Sequence, residues 1–427
     1  MASATSEKKY QLVVFGASGF TGQFVVEEIA KTFEEENKEL SWAIAGRNMK
    51  KLQSVLEEAG RRTGKNLEEI PIVIADVSSE SSLDEMCRDA EVVLNCVGPY
   101  RQYGHPVVRA CIENKTHHID ISGEPTFLEN CQLLYNQQAK ENGVYILGSC
   151  GFDSIPCDMG VVFAQKQFPG DINDIECFLK ILIGPEGGAA NTGTWESAIE
   201  GFAHVHELKE IRKRLFPVRL PKPDYRIAKR SLVFKSSDVE GYNLPFVGSD
   251  RSVVTRTQYY NYNEKKSRPV QMNVYLQVTS ILALLYFFVV GIIFGILCKF
   301  SLGRTIMKKF PKATSLGMFT PSGPTRKQMA GCSFVMTMVS RGFETKLSNP
   351  VEKHEKEPTK KMITTVTGPE PGYITTPICM VQAAYTLLKK DHKIPPGGGV
   401  LTPGAAFAET DLIERLQAKN IKFTKVE

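Results

Sequence analysis

A β-branched apolar run that breaks at three spaced glycines and passes straight into an amphipathic pattern constrains this chain more than any other feature. Gln11-Leu-Val-Val-Phe-Gly-Ala-Ser-Gly-Phe-Thr-Gly22 reads as strand, tight turn and helix start. Gly16 lets the chain leave the strand. Gly19 has no Cβ to hold backbone away from a diphosphate, and Gly22 lets helix and strand pack closely. Ser18, Phe20 and Thr21 complete the turn, where free helix N–H groups and the positive dipole end favour phosphate.

Three glycines alone also fit a turn that holds no ligand, so the pattern of the next hundred residues decides. After a helix from Thr21 to about Glu35, Ser41–Arg47 is a second strand, followed by strands at Ile70–Val77, Glu91–Val97, His117–Ile121 and Val144–Gly148 with helical stretches between. That alternation predicts an α/β fold with a Rossmann-type doubly wound parallel sheet, its ligands outside the carboxyl ends of the strands. Arg47 stands where an acidic residue would bind a free ribose hydroxyl, and its guanidinium suits a 2′-phosphate, so NADP(H) is the expected cofactor. The alternative for Arg47 is a solvated loop residue. Asp76 is placed to reach adenine, and Asn95 and Gly98, in Asn95-Cys-Val-Gly-Pro-Tyr100, leave the fourth strand on the nicotinamide side.

With 427 residues, 42% of them hydrophobic, the chain has enough material for two or three cores. Three parts are expected: a dinucleotide-binding domain over 1–165, a second α/β domain over 166–370 with a hydrophobic insert at 270–300, and a C-terminal segment, 371–427, that packs back on the first. The ten cysteines form no C-x-x-C pair and read as reduced core thiols, with no metal site. Met1 to Lys9 has neither a signal-peptide core nor an Arg-rich amphipathic pattern, so secretion is not expected.

The run from Pro269 to Cys298 is uncharged, and Ile281–Cys298 is long enough to cross a bilayer. Lys265, Lys266 and Arg268 precede it while Lys299, Arg304, Lys308 and Lys309 follow, so both flanks favour the same side. Strand and helix patterning resumes after it, with a strand over Lys361–Thr367 and an amphipathic helix over Thr375–Lys389. The reading is therefore monotopic: a bent helix or hairpin, broken near Gly291 or Gly295, that enters a cytosol-facing membrane or lipid-droplet monolayer. A buried core helix is the alternative, and Gly291-x-x-x-Gly295 also suits a homodimer contact. Between Arg212 and Lys235, nine basic residues stand against one acidic residue, Asp224, in a chain of net charge +5. That concentration favours an anionic membrane surface over nucleic acid, because the segment is broken by Pro217, Pro221 and Pro223 and carries no nucleic-acid motif.

Taken with Ala45-Gly-Arg47, Asp120-Ile-Ser-Gly-Glu124, Gly151-Phe-Asp-Ser-Ile-Pro156, Gly193-Thr-Trp-Glu-Ser-Ala198 and Gly397-Gly-Gly-Val-Leu-Thr-Pro-Gly404, the glycine turn resembles the saccharopine dehydrogenase superfamily over nearly the whole chain. The resemblance implies a Rossmann domain completed by the C-terminal segment, a second α/β domain, NADP-linked redox chemistry, and membrane or lipid-droplet association. The insert and the basic stretch depart from the saccharopine reductases, and bacterial trans-acting enoyl reductases look similar, so a lipidic substrate is favoured over an amino acid.

Hydride transfer to a carbonyl or imine needs a proton donor within reach. Asp120 and Glu124 follow the fifth strand, Asp153 and Ser154 the sixth and Tyr100 the fourth, so these five are the candidates for the catalytic edge. Each has an ordinary alternative: Asp153 as a helix cap, Ser122 and Glu124 as turn formers. Tyr-x-x-x-Lys occurs at Tyr225/Lys229, Tyr262/Lys266 and Tyr385/Lys389, and none follows the fifth strand. The expectation is an NADP-dependent oxidoreductase acting on a lipidic carbonyl, imine or enoyl small molecule at a membrane or lipid-droplet surface, or else a non-catalytic NADP-binding membrane protein.

Overall fold

The computed structural model describes residues 8–36, 40–223, 225–390 and 393–426. Most of Met1 to Lys9, and Asp224, lie outside them. The first half alternates β1 (Tyr10–Phe15), α1 (Phe20–Glu36), β2 (Trp42–Gly46), α2 (Met49–Thr63), β3 (Ile72–Ile74), α3 (Glu80–Asp89), β4 (Ala90–Asn95), α4 (Tyr100–Glu113), β5 (His117–Asp120), α5 (Pro125–Glu141) and β6 (Tyr145–Leu147). Helix α6 (Ile155–Gln167) then leads into β7 (Ile172–Leu182), the short β8 (Ala190–Asn191), α7 (Thr192–Ala203), α8 (Leu208–Leu215), β9 (Tyr242–Pro245), α9 (Asp250–Lys265) and β10 (Gln271–Val278). Next come α10 (Ile281–Cys298), α11 (Ser301–Lys309), α12 (Pro311–Thr314), β11 (Phe319–Thr320), α13 (Arg326–Ala330), β12 (Ser333–Gly342) and β13 (Lys360–Pro369). The chain closes with α14 (Thr376–Leu388), β14 (Gly399–Leu401), α15 (Pro403–Phe407), α16 (Leu412–Ala418) and β15 (Lys422–Lys425).

These strands build two main sheets. The first has the order β14-β6-β5-β4-β1-β2-β3 and is parallel throughout. Helices cover both its faces, so Leu12, Val13, Val14, Val92, Val93 and Leu94 are fully buried and the strands read as continuous apolar runs instead of alternating ones. Strand order reverses on either side of β1, and that opens a crevice at the carboxyl ends of β1 and β4. The second sheet, β15-β13-β12-β7-β10-β9, is mixed, with β7 and β10 parallel and the other pairs antiparallel. One hydrophobic cluster runs from Leu12 and Val14 through Cys157 and Ile175 to Phe334 and Met338, so the two sheets share a core.

The C-terminal segment serves both sheets: β14 extends the parallel one and β15 pairs with β13 of the other. Its helix α14 corrects one expectation. The amphipathic pattern over Thr375–Lys389 predicts a polar outer face, yet Thr376 to Leu387 are all buried because the helix packs against α1 on one side and α16 and the sheet ends on others. Its polar residues are tolerated through internal bonds, such as the Thr386 hydroxyl donating 2.8 Å to the Gln382 carbonyl.

The insert is shorter than 270–300, since β10 occupies Gln271–Val278 and sits between β7 and β9. The remainder, α10, is one unbroken helix about 27 Å long by its 18 residues. No break occurs at Gly291 or Gly295. The chain turns instead at Lys299 and Phe300, where Gly303 of α11 lets that helix lie against the Leu297 carbonyl. The buried-core reading fails as well, because only Leu284, Phe294 and Cys298 of α10 are buried and Leu282 is 74% exposed. Space is open beside both glycines of the Gly-x-x-x-Gly pair.

The C-terminal α15 is expected to anchor the shared core. Phe407, wholly buried in it, should cost about 3–5 kcal/mol when truncated to alanine, read as a lowered urea midpoint at unchanged slope; an unchanged midpoint would show the segment to be peripheral.

Candidate active site

The turn after β1 has the geometry that its glycines require. Gly16 adopts φ +81°, and the Gly19 N–H donates 2.9 Å to the Gly16 carbonyl to close the bend. A Cβ on Gly22 would stand 2.2 Å from the Gly16 oxygen and 2.9 Å from the Ala17 Cα, so α1 approaches β1 closer than any side chain allows. Helix α1 has no acidic residue in its first turn, and that turn's N–H groups have no intrahelical acceptor. A diphosphate fits this cradle. Ser18, Gly19 and Thr21 line it, whereas the ring of Phe20 turns aside, edge-on to Tyr373 at 4.8 Å and Phe24 at 5.5 Å. Phe20 can therefore contribute only its backbone.

Arg47 and Asp76 follow adjacent strands β2 and β3 at the same sheet edge. Arg47 is exposed and free to turn toward a ligand. Asp76 accepts from the Ser78 N–H at 2.9 Å and the Ser78 hydroxyl at 2.7 Å, bonds that with the nearby Arg47 hold its carboxyl below the usual range. Asn95 is fully buried and shapes the next turn, its Oδ1 accepting from the Val97 N–H at 3.0 Å, before Gly98 and a cis Pro99 lead into α4.

The residues expected at this sheet edge do lie together there, and they divide by what they are bonded to. Glu124 is committed to structure: its two oxygens accept from the Tyr100 and Arg101 N–H groups at 2.9 Å each, and Ser197 donates to it at 2.8 Å. It satisfies the free N–H groups of α4, although burial still pushes its pKa up. The Tyr100 hydroxyl donates 2.9 Å to the Asn95 carbonyl, and burial keeps the phenol protonated. Asp120 accepts from the Ser122 N–H at 2.9 Å and the Ser149 N–H at 3.1 Å, yet burial pushes its pKa up to about 7. His118 Nδ1 lies 3.8 Å from the Asp120 carboxyl, but burial lowers that imidazole to about 3. Between those values both are neutral, so the contact is not an ion pair.

Asp153 differs. Its carboxyl has no hydrogen-bond partner among the described residues, and its oxygens fit only because Gly123 and Gly248 lack a Cβ, which would stand 2.7 and 2.9 Å away. Burial raises its pKa to about 6. It does not cap α6. The cap position is Ser154, at the strained φ of +124°, whose hydroxyl lies 3.0 Å from that of Ser249. Two residues at this edge escape sequence reasoning. Asp250 opens α9 with neither carboxyl oxygen hydrogen-bonded among the described residues, its pKa driven well up by burial and then by Asp153. Ser197 lies inside the Gly193–Ala198 motif, which was the only available signal for it.

The basic stretch is partly consumed. Arg212 pairs with Glu129 at 2.7 Å and Arg230 with Glu176 at 2.6 Å, both carboxylates being buried, so these two arginines neutralise interior charge. Lys213, Arg214, Arg219, Lys222, Arg226, Lys229 and Lys235 remain exposed.

A parallel sheet of this order, with a diphosphate cradle, a cationic strand end and protonatable carboxyls at one edge, defines a nicotinamide-dependent dehydrogenase. The family profile described as "Saccharopine dehydrogenase NADP binding domain" matches residues 12–147. A rat "Saccharopine dehydrogenase-like oxidoreductase" is 47% identical over 99% of both chains, and a "Lipid droplet localized protein" of Caenorhabditis elegans is 39% identical over 97% of this chain and 98% of its own. Saccharopine dehydrogenase (L-Glu forming) of Saccharomyces cerevisiae has the same fold, with a TM-score of 0.54 at 13% identity over 97% of this chain and 99% of that one. The chain belongs to the saccharopine dehydrogenase-like oxidoreductases, and its cofactor is NADP(H).

Asp120 yields a pH test. Because its folded pKa is raised, the native state keeps a proton that the unfolded chain loses as pH climbs from about 4 to 7, and native stability falls across that window. Asp120→Asn retains an oxygen for the two N–H donors and has no proton to lose. Relative to wild type, the variant's unfolding free energy from urea titration should improve between pH 4.5 and 7.5, by at most roughly 4 kcal/mol; parallel profiles would show Asp120 ionised in the native state.

Proposed function

We propose that this oxidoreductase acts at a membrane or lipid-droplet surface on a lipidic carbonyl, imine or enoyl compound. The observation that carries the reading is α10, an 18-residue apolar helix of which 17% is buried, set beside the helix that contacts the catalytic edge. Such a naked apolar face fits hydrocarbon, not water. Both flanks are basic, and α11 combines exposed Leu302 and Ile306 with Arg304, Lys308 and Lys309 in the manner of an interfacial helix. The name of the worm relative agrees with this location. The reading is cytosol-facing, on lipid droplets or endoplasmic reticulum, with the mitochondrial surface as the alternative.

At the site, the Gly16–Gly22 turn would hold the diphosphate, Arg47 the 2′-phosphate, Asp76 the adenosine end, and the Asn95–Gly98 turn the nicotinamide side. Bound NADPH supplies the hydride. For a carbonyl, the hydride adds to carbon and a proton must reach oxygen. Asp153, with a pKa near 6 and no competing bond, is the carboxyl best suited to give it. Tyr100 and Glu124 serve as positioning residues, since their polar atoms hold the turn after β4 to α4.

Two measurements test this. Reconstituted protein given deuterated NADPH should transfer deuteride to members of a panel of long-chain enones, ketones and imines, and tight NADPH binding with no transfer to any of them would contradict it. Leu285→Asp with Ile292→Asp, both on the exposed face of α10, should abolish flotation with vesicles while leaving the fold intact, at roughly 2.5–3.5 kcal/mol per buried charge; undiminished flotation would remove the lipid assignment.

A further inference from the structure

Helix α7 is held on opposite sides by the two functional surfaces. Toward the cofactor crevice, Ser197 donates to Glu124, whose oxygens fix the Tyr100 and Arg101 N–H groups of the turn after β4. Arg101 in turn forks onto Glu207, just beyond α7, with two contacts of 2.8 Å. At its start, the capping residue Asn191 donates its N–H 2.7 Å to the Tyr373 hydroxyl, and the Tyr373 ring lies against Phe20 of the phosphate turn. One short helix thus braces both turns, each through a single intervening residue, Glu124 on one side and Tyr373 on the other.

Its other side is apolar and meets the insert. Trp195 packs edge-on to Phe294 at 5.1 Å and donates 3.2 Å to the Met307 carbonyl; Phe202 lies 5.0 Å from Phe294. Cys298 donates to the Ile199 carbonyl at 3.5 Å, and Lys308 pairs with Glu200 at 2.5 Å. These contacts with α7 use two of the three buried residues of α10, Phe294 and Cys298. A helix with so few buried contacts is weakly restrained in water, so the apolar side of α7 rests on a looser support than the side bonded to Glu124.

We infer that α7 couples the two surfaces, so that lipid engagement of α10 and α11 tightens NADPH binding and NADPH tightens lipid binding by the same factor. The inference rests on the lipid reading of α10 and α11. Anchoring α10 and α11 in hydrocarbon orders α7, which holds the turns around the nucleotide site in place before the nucleotide arrives; the ordering cost is then met once for both ligands. Reciprocity is a thermodynamic requirement, and it gives the inference an internal check.

The test uses the full-length protein and vesicles of phosphatidylcholine with phosphatidylserine. NADPH is titrated by fluorescence with and without vesicles, and vesicle flotation is measured with and without saturating NADPH. Both affinities should rise by one common factor of roughly five or more. Ser197→Ala, which frees α7 from Glu124, and Lys308→Gln, which removes its ion pair with α11, should each lower both factors together, while Ser197→Thr should restore them. If vesicles and NADPH both bind but neither affects the other, the coupling is refuted and the proposed function stands. If vesicles do not bind at all, both fall. Undiminished coupling in the Ser197→Ala and Lys308→Gln chains would also refute α7 as the link.

Discussion

Everything in this molecule is arranged around a backbone contact that no side chain could survive: α1 lying on the Gly16 carbonyl at Gly22. That approach brings the positive end of α1 to the sheet edge, where the order of strands reverses. Gly16 itself lies against the turn after β4, where a Cβ would stand 2.7 Å from Val97 Cγ2 and 3.2 Å from the Cys96 carbonyl carbon. The bond from the Cys96 N–H to the Phe15 carbonyl, at 2.8 Å, and the β1–β4 pairing then hold the turn after β4 in register with the glycine turn.

The carboxyls at the sheet edge illustrate how burial and hydrogen bonding give similar groups different surroundings. Glu124, with three donors, is a scaffold; Asp120, buried with two backbone donors, has its pKa pushed up to about 7; Asp153, wedged between two glycines without a donor among the described residues, has its pKa raised to about 6. Sequence proximity does not predict this division. The same reasoning separates the arginines of the basic stretch. Two compensate buried glutamates far away in the chain, and the other basic residues of that stretch face solvent, where a charged surface would meet them.

What the sequence reveals is what depends on local backbone chemistry. The turn at Gly16–Gly22 and the starts of the parallel strands are legible because steric permission at glycine and continuous apolar runs act within a few residues. The unbroken course of α10 is not. Gly291 and Gly295 look like breakpoints, yet a glycine costs an interior helix only about 1 kcal/mol, too little to interrupt an 18-residue helix. Burial of α14 on every side was hidden for a different reason: Gln382 and Thr386 mimic a polar face, while the layers that cover them come from α1 and the far C-terminus. Ser197 and Asp250 act through partners 73 and about 100 residues away, a distance over which no spacing rule operates.

The account turns on a nucleotide whose diphosphate rests in the Gly16–Gly22 cradle and whose 2′-phosphate meets Arg47. Fluorescence titration of folded wild-type protein, Gly22→Val and Arg47→Ala with NADPH and with NADH tests it most directly. Wild type should prefer NADPH, Arg47→Ala should lose that preference by roughly ten-fold or more while still binding NADH, and Gly22→Val should bind neither. Equal affinity of all three chains for NADPH, or no affinity in folded wild type, would contradict the account.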